Sequence, residues 1–454
     1  MRYVLAVVLV LGLAAGAAFV VSGRAVAPAI RILQPTTFVG ADTTLDVTVE
    51  APKSQLSRLD IVLEQNGKRT PLFSLAAPGT AALTQETADR IRVSRPIGKR
   101  ALPDLQAGAA RIVVTAARTV LFGLRTRETT AARDITARFT PPRIAAVSTH
   151  QYVNLGGSEM VVYSVSPPDA SSGVLVGDRF YPGYPAAGAG MKSADPGLRV
   201  AFFALLYDQD LTTPIRLVAR DEAGNQAQAP FDYKTFTKKF TRGRIELTDD
   251  FLHRAVPQIL EHSPELKVAV TSNEDYVPAF LKINNDLRRI DAEKLTALAK
   301  QTSPDMLWKG PFIPLGNAKV ESKFADHRTY FYKGQEIDQQ VHLGFDLAVT
   351  KQIPVKAGND GRVVYADYLG IYGNCVVIDH GMGVQSLYGH LSSIDVKPGE
   401  TVTRGQQIGR SGMTGLAGGD HLHFAILLQG QPVNPVEWWD PHWVEDRVMR
   451  KLHE

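Results

Sequence analysis

Residues 418–427 read GGDHLHFAIL and place His421 and His423 one residue apart in an otherwise apolar run. Side chains two apart in a strand share a face, so both imidazoles project to one side while Leu422 and Phe424 project to the other. Such a pair is bland on an exposed strand and chemical in a pocket. Eight of the 11 histidines lie within residues 327–454, which concentrates this chemistry at one end of the chain. Two further stretches there carry ionisable groups: VHLGFDLA, with His342 and Asp346, and LYGHLSS, with His390. In a straight strand His342 and Asp346 would stand about 13 Å apart, too far to share an ion held at about 2 Å. The backbone between them is therefore expected to bend, and Gly344 is the residue that permits it. His342, Asp346 and one histidine of the HLH pair would then supply two neutral imidazoles and a carboxylate. Three protein ligands with a fourth position open are the pattern of a catalytic rather than a structural zinc site. The histidines left over suit proton transfer, because imidazole titrates near neutral pH.

These residues need a frame. From residue 310 onward, glycine-punctuated runs such as IPVKAGNDGRVVYADY, GNCVVIDHG and IDVKPGETVTRGQQIGRSG predict an antiparallel β domain built from hairpins. Residues 247–309 change period. Leu252, Ala255, Val256, Ile259 and Leu260 follow helical spacing, with Thr248 as the expected N-cap and Pro257 as the expected kink. Asp291 is the expected cap of a second helix that carries Leu295, Leu298 and Ala299 on one face. Upstream, alternating runs separated by turn residues predict two small β-sandwich-like modules, 28–142 and 143–246, divided at Pro141 and Pro142. Within the first, QNGK is a hairpin signal, because Asn-Gly accepts the positive φ angles of a type I′ turn. In the second, IRLVARDEAGNQA resembles the final hairpin of immunoglobulin-like modules on bacterial surface proteins. The expected fold is mainly β: an N-terminal membrane helix within 1–27, two β-sandwich-like modules, a helical linker over 247–309 and a C-terminal antiparallel β domain over 310–454.

The chain has 454 residues, enough for about three domains. Its one cysteine, Cys375, excludes an intramolecular disulfide and a cysteine-based metal cluster, so a metal site must use His, Asp or Glu. Between Arg2 and Arg24 there is no charge, and YVLAVVLVLGLAAGAAFVV would span roughly 30 Å as a helix, enough to cross a bilayer core. Pro28 directly after AVA disfavours signal cleavage there, so an uncleaved anchor is expected. Residues 310–454 hold 13 Lys and Arg against 16 Asp and Glu, which puts the net charge of +4 upstream of the histidine-rich end. The densest basic stretch, 90–143, has 12 Lys and Arg against Asp104, Glu128 and Asp134. It can attract an anionic polymer or lipid surface, although solvated strand faces are the simpler reading. No nucleic-acid partner is expected.

The motifs HLGFD, YGHLS and HLHF, in this order and embedded in GNCVVIDHGMG, VKPGETVTRGQQIG and GQPVNP, resemble the lysostaphin-type zinc endopeptidases of the M23 family, often called LytM domains. The resemblance covers about residues 310–440. It implies one zinc ion held by His342, Asp346 and His423, with His390 and His421 as catalytic residues. It further implies cleavage of peptide bonds in the stems or bridges of bacterial peptidoglycan, with His421 taking a proton from the attacking water and His390 stabilising the oxyanion or passing protons. Sequence does not decide which histidine does which. With the anchor and the lack of disulfides, the implied location is the periplasmic face of a Gram-negative inner membrane, and the implied substrate is a D,D-crosslink between stem peptides. Restraint by the upstream segment, released by a regulatory protein or by the wall, is a further expectation. One departure is the longer, more polar approach ESKFADHRTYFYKGQEIDQQ, where His327 and Arg328 read as loop residues or, alternatively, as residues that contact substrate or support the site. His380 reads as shaping a turn, and Cys375 as a buried core residue.

Two other functions compete. A non-catalytic LytM-like module that activates another wall hydrolase would generally lack some of the five site residues, all of which are present here. A biotinyl or lipoyl carrier would share hairpins such as VKPGETVTRGQQIG, but it needs an exposed lysine at a hairpin tip, which this sequence does not show.

Overall fold

The computed structural model describes residues 2–22, 24–52, 55–79, 81–121, 123–193, 195–348 and 350–453. The fold is mainly β, with an apolar N-terminal helix, Arg2–Ser22. The described residues fall into two compact units, one from Met1–Pro142 with Arg220–Gln226, the other from Arg143–Ala219 with Ala227–Glu454.

In the first unit a four-stranded and a five-stranded sheet enclose a common core. Alternation decides which side chains enter it. Leu59, Ile61 and Leu63 of the Arg58–Gln65 strand are buried, as are Ile112, Val114 and Ala116 of Gly108–Val120. The QNGK turn is a hairpin as expected, with φ of 50° at Asn66 and 76° at Gly67. Several arginines of the basic stretch pair with carboxylates on these strand faces, among them Arg90 with Glu50 and Arg111 with Asp134.

The second unit opens with two four-stranded sheets, in which Gly157–Ser166 and Leu198–Leu205 pair antiparallel along their length. Residues 249–299 are helical. Thr248 caps Asp249–His262 through its hydroxyl, which accepts from Phe251 N at 3.2 Å, and the helix runs on through Pro257. Leu252, Ala255, Val256 and Ile259 are buried, whereas Leu260 is half-buried. The next helical stretch corrects one expectation. It runs from Tyr276–Lys282 through a π-helical turn, Ile283–Leu287, into Arg288–Ala299, so Asp291 lies inside it and is not a cap. The backbone N–H groups there are already committed to the helix. The Asp291 carboxylate turns instead to the sheet domain and accepts from Ile371 N at 2.9 Å. Val256, Ile259, Phe280, Ile283 and Leu287 share one core cluster with Tyr330 and Ile371, so the helices pack on the domain that follows them.

That domain is built on a large antiparallel sheet in which His421–Leu428 lies between Phe345–Ala348 and Val384–Leu391. Every residue of His421–Leu428 and Val384–Leu391 is buried. A second correction falls just upstream. His327 and Arg328 belong to a strand, Asp326–Tyr332, which pairs antiparallel with Gln335–His342 and parallel with Arg242–Leu247. Lys333 and Gly334, with φ of 51° and 78°, close the hairpin.

Candidate metal centre

The sheet register brings the site together. Asp346 stands opposite His423, and Gly389 stands opposite His423 from the other side. His342 ends its hairpin strand, and the chain leaves that ladder through Leu343 and Gly344 before Phe345–Ala348 joins the main sheet. The expected bend is present, but Gly344 is needed for space rather than for a left-handed φ. A Cβ there would lie 2.5 Å from Nε2 of His423 and 2.8 Å from the Phe424 carbonyl oxygen.

His342 Nε2 lies 2.9 Å from Asp346 Oδ1 and 3.0 Å from His423 Nδ1, and His423 Nδ1 lies 3.1 Å from the same carboxylate oxygen. All three residues are buried. His342 Nδ1 is 3.2 Å from the Lys323 carbonyl oxygen, which assigns the proton to Nδ1 and leaves a lone pair on Nε2. That lone pair faces a carboxylate oxygen and another ring nitrogen. Three acceptor atoms thus converge in a buried place, an arrangement that a cation relieves. Two imidazoles and one carboxylate suit zinc, whose tetrahedral ligands at about 2.0–2.1 Å stand roughly 3.3 Å from one another. The residues present therefore fit a metal ion, and they form a potential ligand group among the described residues.

His421 and His390 stand beside this triangle. His421 Nδ1 is 2.9 Å from the Gly419 carbonyl oxygen, and its Nε2 is 3.4 Å from Asp346 Oδ1. His390 Nδ1 is 2.8 Å from the Thr414 carbonyl oxygen, and its ring centroid lies 4.8 Å from that of His421. In both, the backbone carbonyl assigns the proton to Nδ1 and leaves Nε2 as the basic nitrogen.

The electrostatics follow from burial and neighbours. Burial pushes the Asp346 carboxyl up, but the surrounding His342, His421 and His423 outweigh it and hold the group well below the usual carboxylate range. Burial lowers His423 to about 4, against the pull of Asp346. His390 is held well below its ordinary value by burial and by the neighbouring His421 and His423. For His421, burial lowers the basicity, yet the hydrogen bond and charge of Asp346 leave it raised.

For Arg328 the alternative reading, a residue that supports the site, is the one the structure fits. Arg328 donates from Nη2 to Asp346 Oδ2 at 2.7 Å, and its Nε lies 3.5 Å from Asp326, with the side chain only 17% exposed. It fixes the carboxylate from the side away from the histidines. His327 is exposed and stands against Phe240. His380 is buried elsewhere, between the Asp360 carbonyl oxygen and Ser386 Oγ, and Cys375 is buried as expected. The triad and both neighbouring histidines line a cleft of about 1270 Å³, whose far wall includes Phe251, Phe280 and Arg288 of the helical segment.

This fold and donor set define a β domain whose cleft carries a potential metal-ligand group. Residues 340–435 match Peptidase family M23, so the chain carries an M23 peptidase domain there. The same region is 43% identical over 97 residues to DD-carboxypeptidase/endopeptidase Mpg of Neisseria meningitidis serogroup B, covering 21% of this chain and 22% of that protein. It is 45% identical over 96 residues to peptidoglycan DD-endopeptidase ShyA of Vibrio cholerae serotype O1, covering 21% and 22%. It is also 44% identical over 95 residues to murein hydrolase activator EnvC of Escherichia coli K12, covering 21% and 23%. The match spans about a fifth of the length of each of these relatives.

Proposed function

We propose that the chain is a zinc-dependent endopeptidase that hydrolyses peptide crosslinks of bacterial peptidoglycan. The proposal rests on one geometry: His342 Nε2, Asp346 Oδ1 and His423 Nδ1 converge within 2.9–3.1 Å of one another at the wall of a cleft that also holds His390 and His421. A zinc ion bound there would polarise the scissile carbonyl and bring the pKa of water towards neutrality. His421, with its lone pair on Nε2, takes the proton of the attacking water. His390 stabilises the developing oxyanion or passes the proton to the leaving amine. The Nδ1–H bonds to the Gly419 and Thr414 carbonyls leave a lone pair on Nε2 of each ring, the tautomer that accepts a proton, so His390 donates to the oxyanion or the leaving amine only once its Nε2 has taken one.

In this reading, 1–27 is an uncleaved anchor in the inner membrane of a Gram-negative cell, with the rest of the chain in the periplasm. Residues 28–142 and 143–246 are β modules, 247–309 is a helical segment and 310–454 is the peptidase domain. The substrate is the D,D-crosslink between stem peptides. Because the helical segment forms one wall of the cleft, a regulatory partner that moves it would alter access to the site.

The likeness to an activator as well as to endopeptidases means that the domain alone does not separate hydrolysis from activation; the five ionisable residues in one cleft support hydrolysis. Mass spectrometry of crosslinked muropeptides incubated with the purified, zinc-loaded chain tests this. Monomers released by cleavage between stem peptides are expected. Cuts within glycans or at the sugar–peptide amide would overturn the assignment, and intact substrate that is degraded only when a second hydrolase is added would establish the activator instead.

A further inference from the structure

We infer that the tip of the hairpin formed by Gly108–Val120 and Arg125–Ala137 binds the headgroups of an anionic phospholipid bilayer where the N-terminal helix leaves it. The inference rests on the membrane-anchor reading above. Each strand is 13 residues long, and the pair runs in unbroken register out to Val120 and Arg125. Near the tip, Arg118 stands directly opposite Arg127, and Arg125 lies two residues from Arg127 on the same face. Like charges opposite each other on paired strands repel. Among the described residues, no carboxylate forms an ion pair with any of these three arginines.

What they touch instead is the end of the apolar helix and the segment that follows it. Arg125 Nη1 donates to the Phe19 carbonyl oxygen at 2.8 Å, and its guanidinium lies 4.8 Å from the Phe19 ring centroid. Arg127 Nε donates to the Ala25 carbonyl oxygen at 3.2 Å, and Arg118 Nη1 to that of Val26 at 3.4 Å. This bonding caps one carbonyl in the last turn of the helix, that of Phe19, and holds the segment just after the helix at Ala25 and Val26. It occupies few of the five donors each guanidinium carries, and Arg118 Nε is buried without a partner. The three charges therefore sit, unneutralised, beside the last turn of a helix whose apolar span, Tyr3–Val21, is uncovered by the rest of the chain. With that span in a bilayer, its end lies at the level of the lipid phosphates, which offer the missing anions. Leu124 at the same tip is 76% exposed. Helix capping does not explain an exposed leucine there, whereas an apolar tip flanked by arginines is the composition that seats in a headgroup layer.

The test uses the full chain reconstituted in vesicles, with a fluorophore on Leu124→Cys or, separately, on Leu11→Cys; the native Cys375 is buried. Quenching by nitroxide carried on lipid headgroups is compared between phosphatidylcholine and phosphatidylcholine–phosphatidylglycerol vesicles. Position 124 is expected to be quenched at least about twofold more in the anionic vesicles. A triple Arg118→Ala, Arg125→Ala, Arg127→Ala variant should remove that difference, and the corresponding triple lysine variant should keep it. Equal quenching at 124 in both lipids, with position 11 shielded in the bilayer, would overturn the inference and leave the anchor intact. So would a lysine triple that behaves like the alanine triple, because the contact would then depend on guanidinium bonds to the chain and not on charge. A water-exposed label at position 11 would overturn the anchor reading itself and the headgroup contact with it.

Discussion

His390 and His421 share the cleft with His342 and His423 but stand outside the triangle that the latter pair makes with Asp346, and substitution should separate the two groups. His390→Ala and His421→Ala are expected to keep zinc while losing turnover by about 10²-fold or more, the usual scale for a proton-transfer or oxyanion group. Asp346→Ala should lose the metal itself. Zinc content measured beside muropeptide turnover distinguishes these outcomes, and wild-type rates in both single histidine variants would return that pair to a structural role. Arg328 belongs to the same scale. Its bond to Asp346 Oδ2 orients the carboxylate, so Arg328→Met should weaken zinc binding by roughly 10–100-fold. Arg328→Lys should recover only part of that, because an ammonium cannot span Asp346 and Asp326 as the guanidinium does. Competition with a chelator measures both. The histidines and Asp346 could be singled out from residue type and spacing. Arg328 was legible only as an alternative and its partner not at all, since it meets Asp346 only after two strands and a bend have folded between them.

At the scale of elements, Asp291 ties the helix Arg288–Ala299 to the turn Gly370–Tyr372. The Asp291 side chain lies so close to this turn that a Cβ on Gly370 would lie 2.2 Å from one of its carboxylate oxygens. Burial raises this carboxyl from 3.8 to about 7, although the Ile371 N–H, Arg288 and Lys294 pull it back. Between those values the folded chain holds a proton that the unfolded chain has released. The resulting stability is present at acid pH and lost as pH rises through about 7. Asp291→Asn keeps an acceptor for Ile371 N and removes the buried charge. It should stabilise the protein more at pH 8 than at pH 5, with a difference on the order of 2 kcal/mol. Urea unfolding followed by tryptophan fluorescence suits the measurement, because all four tryptophans, 308, 438, 439 and 443, lie in this unit. An equal effect at both pH values would remove titration as the cause. Periodicity and turn chemistry made the Thr248 cap and the Asn66-Gly67 hairpin legible. They misplaced Asp291 because an aspartate before a helical run looks the same whether it begins the helix or crosses to a neighbour. The Asp326–His342 hairpin was also unread: its strands are polar, and only Lys333-Gly334 marks the turn.

On the scale of the whole second unit, the C-terminal end is fastened to the upstream β sheets by a charge pair that sequence could not reveal, since its partners lie 292 residues apart. Lys451 Nζ donates to Glu159 Oε1 at 2.9 Å and to the Met160 carbonyl oxygen at 2.8 Å, and both side chains are buried. Glu159 also accepts from the backbone of Tyr152 and Met160, while burial raises its carboxyl against the pull of Lys451. Two isolated buried charges would each be costly, so the value of the pair lies in keeping both. Lys451→Met should destabilise this unit by about 3–5 kcal/mol, because it removes the hydrogen-bonded cation and leaves the buried glutamate charge only Arg447, whose Nε lies 3.9 Å from Oε2. Glu159→Gln in the same chain should restore much of that loss: the amide keeps an acceptor for the Tyr152 or Met160 N–H and carries no charge. The two substitutions are therefore expected to be non-additive by roughly 1–3 kcal/mol in a double-mutant cycle followed by tryptophan fluorescence. Additive losses would show that Lys451 and Glu159 act independently and that apolar packing, with Trp443, Val444 and Val448 in the shared core, holds the C-terminal helices in place.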